Sequence, residues 1–143
     1  MECIKLDHIK TNVEVNSWED AIYFAGELLE KDELIDHIYT DNIIQAVKEF
    51  GTYMVLLPEF VLAHSAPCSA VKESSMSLIT LKKKLPFYKD DVFVSVILFM
   101  ACKDKTSHME NLKKIAEKLM IDGTIEKIKT SQDSLDIYKL LNE

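Results

Sequence analysis

Thr52-Tyr53-Met54-Val55-Leu56-Leu57-Pro58-Glu59-Phe60-Val61-Leu62-Ala63-His64-Ser65-Ala66-Pro67 is the stretch on which the reading of the fold turns. An apolar run of strand character, Tyr53 to Leu57, stops at a proline, and a histidine follows between small residues. Loops beyond the ends of buried strands are where α/β proteins place their chemistry, because the scaffold is rigid and the loop open. An imidazole there can act as a nucleophile, a base or a metal ligand near neutral pH.

Upstream of this stretch, the spacing predicts two helices. Ser17-Trp18-Glu19-Asp20 has the form of a capping box, and Ile22, Ala25, Leu28 and Leu29 then recur at helical intervals. Tyr39, Ile43, Val47 and Phe50 predict one face of a second helix, with Gly51 as its stop. Downstream, Met76–Leu81 and Val92–Met100 read as further buried strands, the latter the longest and most apolar. Lys82-Lys83-Lys84 reads as a loop or an exposed edge, and as a surface able to touch an anionic ligand. Ser107-His108-Met109-Glu110 is a second capping box, predicting a helix with Leu112, Ile115, Ala116 and Leu119 inward. Thr130-Ser131-Gln132-Asp133 opens a last helix carrying Leu135, Tyr138 and Leu141 on one face. Near-continuous apolar strands between helices call for cover on both sheet faces. The expected fold is α/β, a mixed sheet flanked by helices on both faces.

With 143 residues and no low-complexity linker, a single domain over residues 1–143 is expected. An apolar share of 48% against 29% charged is globular composition. Seventeen basic against 24 acidic residues give a net charge of −7, which argues against unspecific nucleic-acid binding and for no nucleic-acid partner. The N-terminus lacks a signal peptide, and the run Val92–Cys102 is too short to span a bilayer, so a soluble cytoplasmic protein is expected. Cys3, Cys68 and Cys102 are widely spaced and form no CxxC pair.

Four histidines remain as candidates. His8 and His37 have polar neighbours and read as surface residues. His64 and His108 each follow a predicted apolar strand, and neighbouring strands would bring the two imidazoles together. His108 stands in a first helical turn, where N–H groups and the dipole favour an anion. A solvated first-turn residue is the competing reading for it. His64 and Cys68 sit at a spacing that can chelate, but Pro67 intervenes and too few ligands surround them, so no metal is expected. Cys68 and Cys102 read as small buried hydrophobes. The chain has no glycine-rich phosphate loop, no GxGxxG motif and no Ser-His-Asp signature.

In this order the segments resemble the enzyme IIA domains of the bacterial phosphoenolpyruvate-dependent sugar phosphotransferase system, of the mannitol/fructose-type superfamily and nearest its ascorbate-type branch. Ser17–Ala21 with Leu28-Leu29 looks like the family's first helix, and Tyr39–Gly51 with Tyr53–Leu56 like its second helix and first core strand. Leu62-Ala63-His64 stands in place of its proline-histidine signature. Ser77–Phe87 is similar to the following strand and turn, and Asp104 and His108 ahead of Leu112 resemble the second-histidine segment.

The resemblance implies a phosphocarrier. The protein HPr would present a phosphohistidine, His64 would accept the phosphoryl group, and a cysteine of a cognate IIB component would take it onward, with only an indirect link to a membrane IIC. His108 would orient the group or stabilise its charge, and Ser65 would donate a hydrogen bond to it. No cofactor is implied. Two positions depart from the family pattern: Ala63 replaces the proline before the histidine, and Ala66 the arginine two residues after it. An arginine there would give a charge-assisted contact that Ala66 cannot. That loss keeps two other readings in view: a IIA-like regulatory domain of a sugar-operon transcription regulator, and a phosphotransfer-inactive binding protein of the same fold.

Overall fold

A computed structural model describes residues 2–106 and 109–143. In chain order a 3-10 turn, Leu6–His8, leads into β1 (Ile9–Val13), α1 (Trp18–Glu30) and α2 (His37–Phe50). Then come β2 (Val55–Leu57), β3 (Glu59–Ala63), β4 (Ser75–Phe87) and β5 (Lys89–Ala101). Three helices close the chain: α3 (Met109–Leu119), α4 (Thr124–Thr130) and α5 (Ser134–Asn142).

The five strands form one mixed sheet in the order β1-β4-β5-β3-β2. β1 runs parallel to β4 and β3 parallel to β5, while β4–β5 and β2–β3 are antiparallel. Val96, Leu98 and Met100 of β5 face Ile115, Leu119, Ile128, Ile137 and Leu141 from the C-terminal helices. Val94, Ile97, Phe99 and Ala101 face Ala21, Ile22, Ala25, Leu29, Ile43 and Val47 of α1 and α2. A strand covered on both sides has no solvated face, so it is apolar at nearly every position. The expected sandwich, helices on both faces of a mixed sheet, is what the chain adopts.

Local signals explain several boundaries. Ser17 Oγ accepts the Asp20 N–H at 3.1 Å, capping α1 as its motif demands. Gly51 takes φ +80° and returns its N–H to Val47 O at 2.7 Å, ending α2 in a conformation that glycine adopts without Cβ strain.

Other expectations need correction. The strand before His64 is not Tyr53–Leu57. Only Val55–Leu57 is extended, the chain reverses at Pro58, and Glu59 enters β3 at φ +62°. Lys82, Lys83 and Lys84 lie inside β4 rather than in a loop, though exposed as read, with Lys82 Nζ on Glu14 Oε1 at 2.9 Å and Lys84 Nζ 4.6 Å from the Phe93 ring centre. His8 is buried, not superficial, and its Nε2 lies 2.6 Å from Asp32 Oδ2, which holds the Asp32 carboxyl below its usual range. Phe50 is 66% exposed, Ala116 is exposed, and α5 buries Ile137 and Leu141 while Leu135 faces water. Phe50 is the last residue of α2 and Leu135 lies in the first turn of α5, so both are helix-end positions.

Candidate functional site

The parallel pairing of β3 with β5 sets the site. Its last registered pair is Ala63 with Phe99. The antiparallel β4 begins opposite the same end, Ser75 pairing with Ala101. One end of the sheet therefore gathers His64 and Ser65, the segment that leaves β5, and the start of β4. This is the strand-end arrangement expected from sequence, with β3 in place of the predicted strand.

His64 is half-buried, and its Nδ1 lies 2.8 Å from the carbonyl oxygen of Leu62. A carbonyl can only accept, so Nδ1 must carry the proton and donate it. In the neutral ring the lone pair then falls to the other nitrogen, Nε2, which has no hydrogen-bond partner among the described residues. Leu62 is itself anchored, donating its N–H to Met54 O at 2.9 Å. The Tyr53 ring stands edge-on to the imidazole at 6.1 Å between centres, and Phe50 stands edge-on to Tyr53 at 6.0 Å. Both aromatics are substantially exposed and continue the surface outward from His64.

Ser65 is half-buried, and its hydroxyl makes no hydrogen bond among the described residues. Its N–H donates to the Tyr39 hydroxyl at 3.0 Å, and that hydroxyl donates to Met100 O at 2.7 Å. Burial pushes the Tyr39 phenol well above its usual range, which keeps it neutral and able to donate. Sequence reading placed Tyr39 only as a core residue of α2. Its hydroxyl and the Leu62 carbonyl carry no pattern signal, because their role depends on which chain segments meet.

His108, the second candidate, lies outside the described residues, as does Ser107 of its capping box. Lys103 and Lys105, in the segment leaving β5, are exposed. Cys102 is half-buried, and burial, aided by Asp104, raises its thiol pKa and keeps it protonated. Cys68 is also only half-buried and receives a weak contact from Asn42 Nδ2 at 3.9 Å. Among the described residues, no group of three or more His, Cys, Asp or Glu side chains is placed to hold a metal ion. No described helix is long and apolar enough to cross a membrane. The chain contains no arginine at all, so any anion held here must be met by lysine, hydroxyl or backbone groups.

Comparison with known proteins bears on what such a strand-end histidine serves. The chain is 30% identical over 139 residues to the ascorbate-specific PTS system EIIA component of Salmonella typhi, covering 94% of this chain and 90% of that protein. Its fold matches the solution structure of the mannitol-specific cryptic phosphotransferase enzyme IIA CmtB from Escherichia coli, with a TM-score of 0.89 at 20% identity, covering 99% and 98% of the two chains. It also matches enzyme IIAMTL of Escherichia coli in complex with phosphorylated enzyme IIBMTL, with a TM-score of 0.82 at 17% identity over 96% of each chain. The family model for the phosphoenolpyruvate-dependent sugar phosphotransferase system, EIIA 2, matches residues 2–143, and the chain belongs to that family.

Proposed function

We propose that this protein is a phosphocarrier that accepts a phosphoryl group from phospho-HPr on His64 Nε2 and passes it to a cysteine of a cognate IIB component. The observation that carries the reading is the Nδ1–H donation to Leu62 O at 2.8 Å, which leaves Nε2 as the free nucleophile on an accessible ring. In the first step the Nε2 lone pair forms the new N–P bond. The bond from phosphorus to the donor's histidine breaks, and its electron pair returns to the donor's ring. In the second step a IIB thiolate attacks phosphorus, the N–P bond breaks, and Nε2 recovers its lone pair.

As Nε2 attacks, positive charge grows on the imidazole and the Nδ1–H···O bond strengthens. A neutral carbonyl acceptor stabilises that charge less than a carboxylate would, which suits a phosphoramidate that must also leave. Phosphoryl transfer asks little covalent work of a protein beyond positioning and charge compensation. Ser65, with its hydroxyl unengaged among the described residues, would donate to a phosphoryl oxygen. His108 would orient the group, and the exposed Lys103 and Lys105 would supply charge in place of arginine. Phe50 and Tyr53 would form apolar ground against which successive protein partners dock beside the nucleophile. The IIAMTL–IIBMTL complex supports a IIB partner of this kind. The protein would act in the cytoplasm and reach a membrane IIC only through IIB.

The test is phosphorylation by phosphoenolpyruvate, enzyme I and HPr, with His64→Ala alongside. Acid-labile, alkali-stable label on the wild type and none on the variant is expected. Folded wild type that takes no label from active HPr would instead favour a regulatory or inactive member of the family.

A further inference from the structure

The structure assigns to Tyr39 the role of a positioning residue, whose hydroxyl replaces the missing rung between β3 and β5 and so fixes the backbone that aims His64. This rests on the reading of His64 as the phosphoacceptor. β3 and β5 part company after Ala63 and Phe99, because the chain beyond Ala63 must splay to present a loop. The next residues would otherwise leave backbone groups unpaired at the mouth of the sheet, a loss that has a cost where the groups are partly screened from water. Tyr39 supplies what the ladder no longer can. A hydroxyl has one proton to give and two lone pairs to offer. Here the proton goes to Met100 O at 2.7 Å and a lone pair takes Ser65 N–H at 3.0 Å, with Ser65 O a more distant 3.3 Å away.

The Ser65 N–H belongs to the peptide plane that follows the His64 Cα. Holding that plane removes a backbone torsion from the nucleophile, while the bond from Nδ1 to Leu62 O restrains its ring. The imidazole is therefore tied from two directions, and only the Tyr39 tie reaches across to a second strand. Tyr39 can do this because its ring is rigidly seated. It is fully buried in the first turn of α2 and packs edge-on against Phe99 at 5.9 Å. The hydroxyl touches none of the reacting atoms, so it acts only through His64.

Tyr39→Phe keeps the ring and deletes the tie. In single-turnover transfer from phospho-HPr, a misplacement on the order of 1 Å should lower the rate at saturation about 10–100-fold while KM for phospho-HPr stays near wild type. A purely structural defect is controlled by Ile128→Val, a conservative core change in α4 under the other sheet face, which should leave the rate intact. A wild-type rate in Tyr39→Phe, a loss confined to KM, or an equal loss in Ile128→Val would overturn the assignment. A second readout needs no phosphate: nitrogen NMR of His64 and hydrogen exchange of the Ser65 amide. Wild type should show one Nδ1–H tautomer and a protected amide, and Tyr39→Phe a mixed tautomer and fast exchange. Unchanged spectra in the variant would likewise reject the role. Failure of wild type to accept phosphate would sink the carrier reading, and the NMR comparison would still decide Tyr39.

Discussion

Replacing Gly26 by alanine probes how tightly the two N-terminal helices are seated on the sheet that carries the site. Gly26 is buried in α1, where α1 crosses α2 and β5. A Cβ at this position would lie 2.5 Å from Thr40 Oγ1, 3.1 Å from Thr40 Cγ2 and 3.2 Å from Phe99 Cε2. Alanine gains about 1 kcal/mol of helix propensity over glycine, so an uncrowded site would be stabilised. Overpacking works against that gain, at about 1–3 kcal/mol in a dense core. The upper end applies here, because Thr40 is short and fully buried and the fully buried Phe99 crowds the same position. A net loss of about 1–2 kcal/mol follows, a fall of roughly 3–6 °C in Tm for a chain of this size. Urea or thermal unfolding of Gly26→Ala, Thr40→Ala and the double variant makes the measurement. Removing the Thr40 side chain frees the space the new methyl needs, so the double variant should recover stability, with a coupling of about 1–2 kcal/mol. A Gly26→Ala protein as stable as wild type, or strict additivity in the cycle, would refute the steric reasoning.

Three further outcomes are expected. The Glu59 carboxyl is held below its usual range by the Ser95 hydroxyl and by Lys129 Nζ at 3.2 Å, so its contribution is present above the ordinary glutamate pKa and lost as pH falls through the lowered one. Glu59→Gln should therefore show a shallower fall in stability below about pH 4.5 in acid titrations followed by circular dichroism, and an unchanged slope would contradict it. Ser77 Oγ donates to Ala25 O at 2.7 Å inside the sheet–α1 layer, and Ser77→Ala, which removes this bond while the carbonyl keeps its place in the helical ladder of α1, should lose about 0.5–1.5 kcal/mol in urea unfolding. Phe50→Ser removes a ring that is 66% exposed, so it should leave Tm nearly unchanged yet weaken binding of phospho-HPr or IIB in calorimetry; unaltered affinity would remove Phe50 from the docking surface.

The sequence made the layering readable because β5 and the inner faces of α1 and α2 are long, strongly periodic or continuously apolar. Short or peripheral elements escaped. β1 turns only Ile9 and Val13 fully inward and places polar residues between them, so it lacks the apolar density of a central strand. α4 buries Thr124 and Ile128 over seven residues, too short a span for helical periodicity to register. β3 was hidden by Pro58, which reads as a terminator but here marks a tight reversal into a new strand. His64 could be singled out from its place beyond an apolar run. The nitrogen proposed as the nucleophile could not, because the choice between Nδ1 and Nε2 rests on the Leu62 carbonyl, and backbone groups leave no trace in residue patterns. Tyr39 was legible as core and illegible as a strap, since its partners are 26 and 61 residues away along the chain.

The most direct test of His64 as carrier uses protein labelled with nitrogen-15 in its histidines, observed before and after treatment with phospho-HPr. We expect a resting His64 protonated on Nδ1, and after transfer a phosphorus coupling on its Nε2 with the Nδ1 proton retained. Phosphorus on Nδ1 of His64, on another residue, or on none would contradict the proposal that Leu62 O presets this nitrogen as the phosphoacceptor.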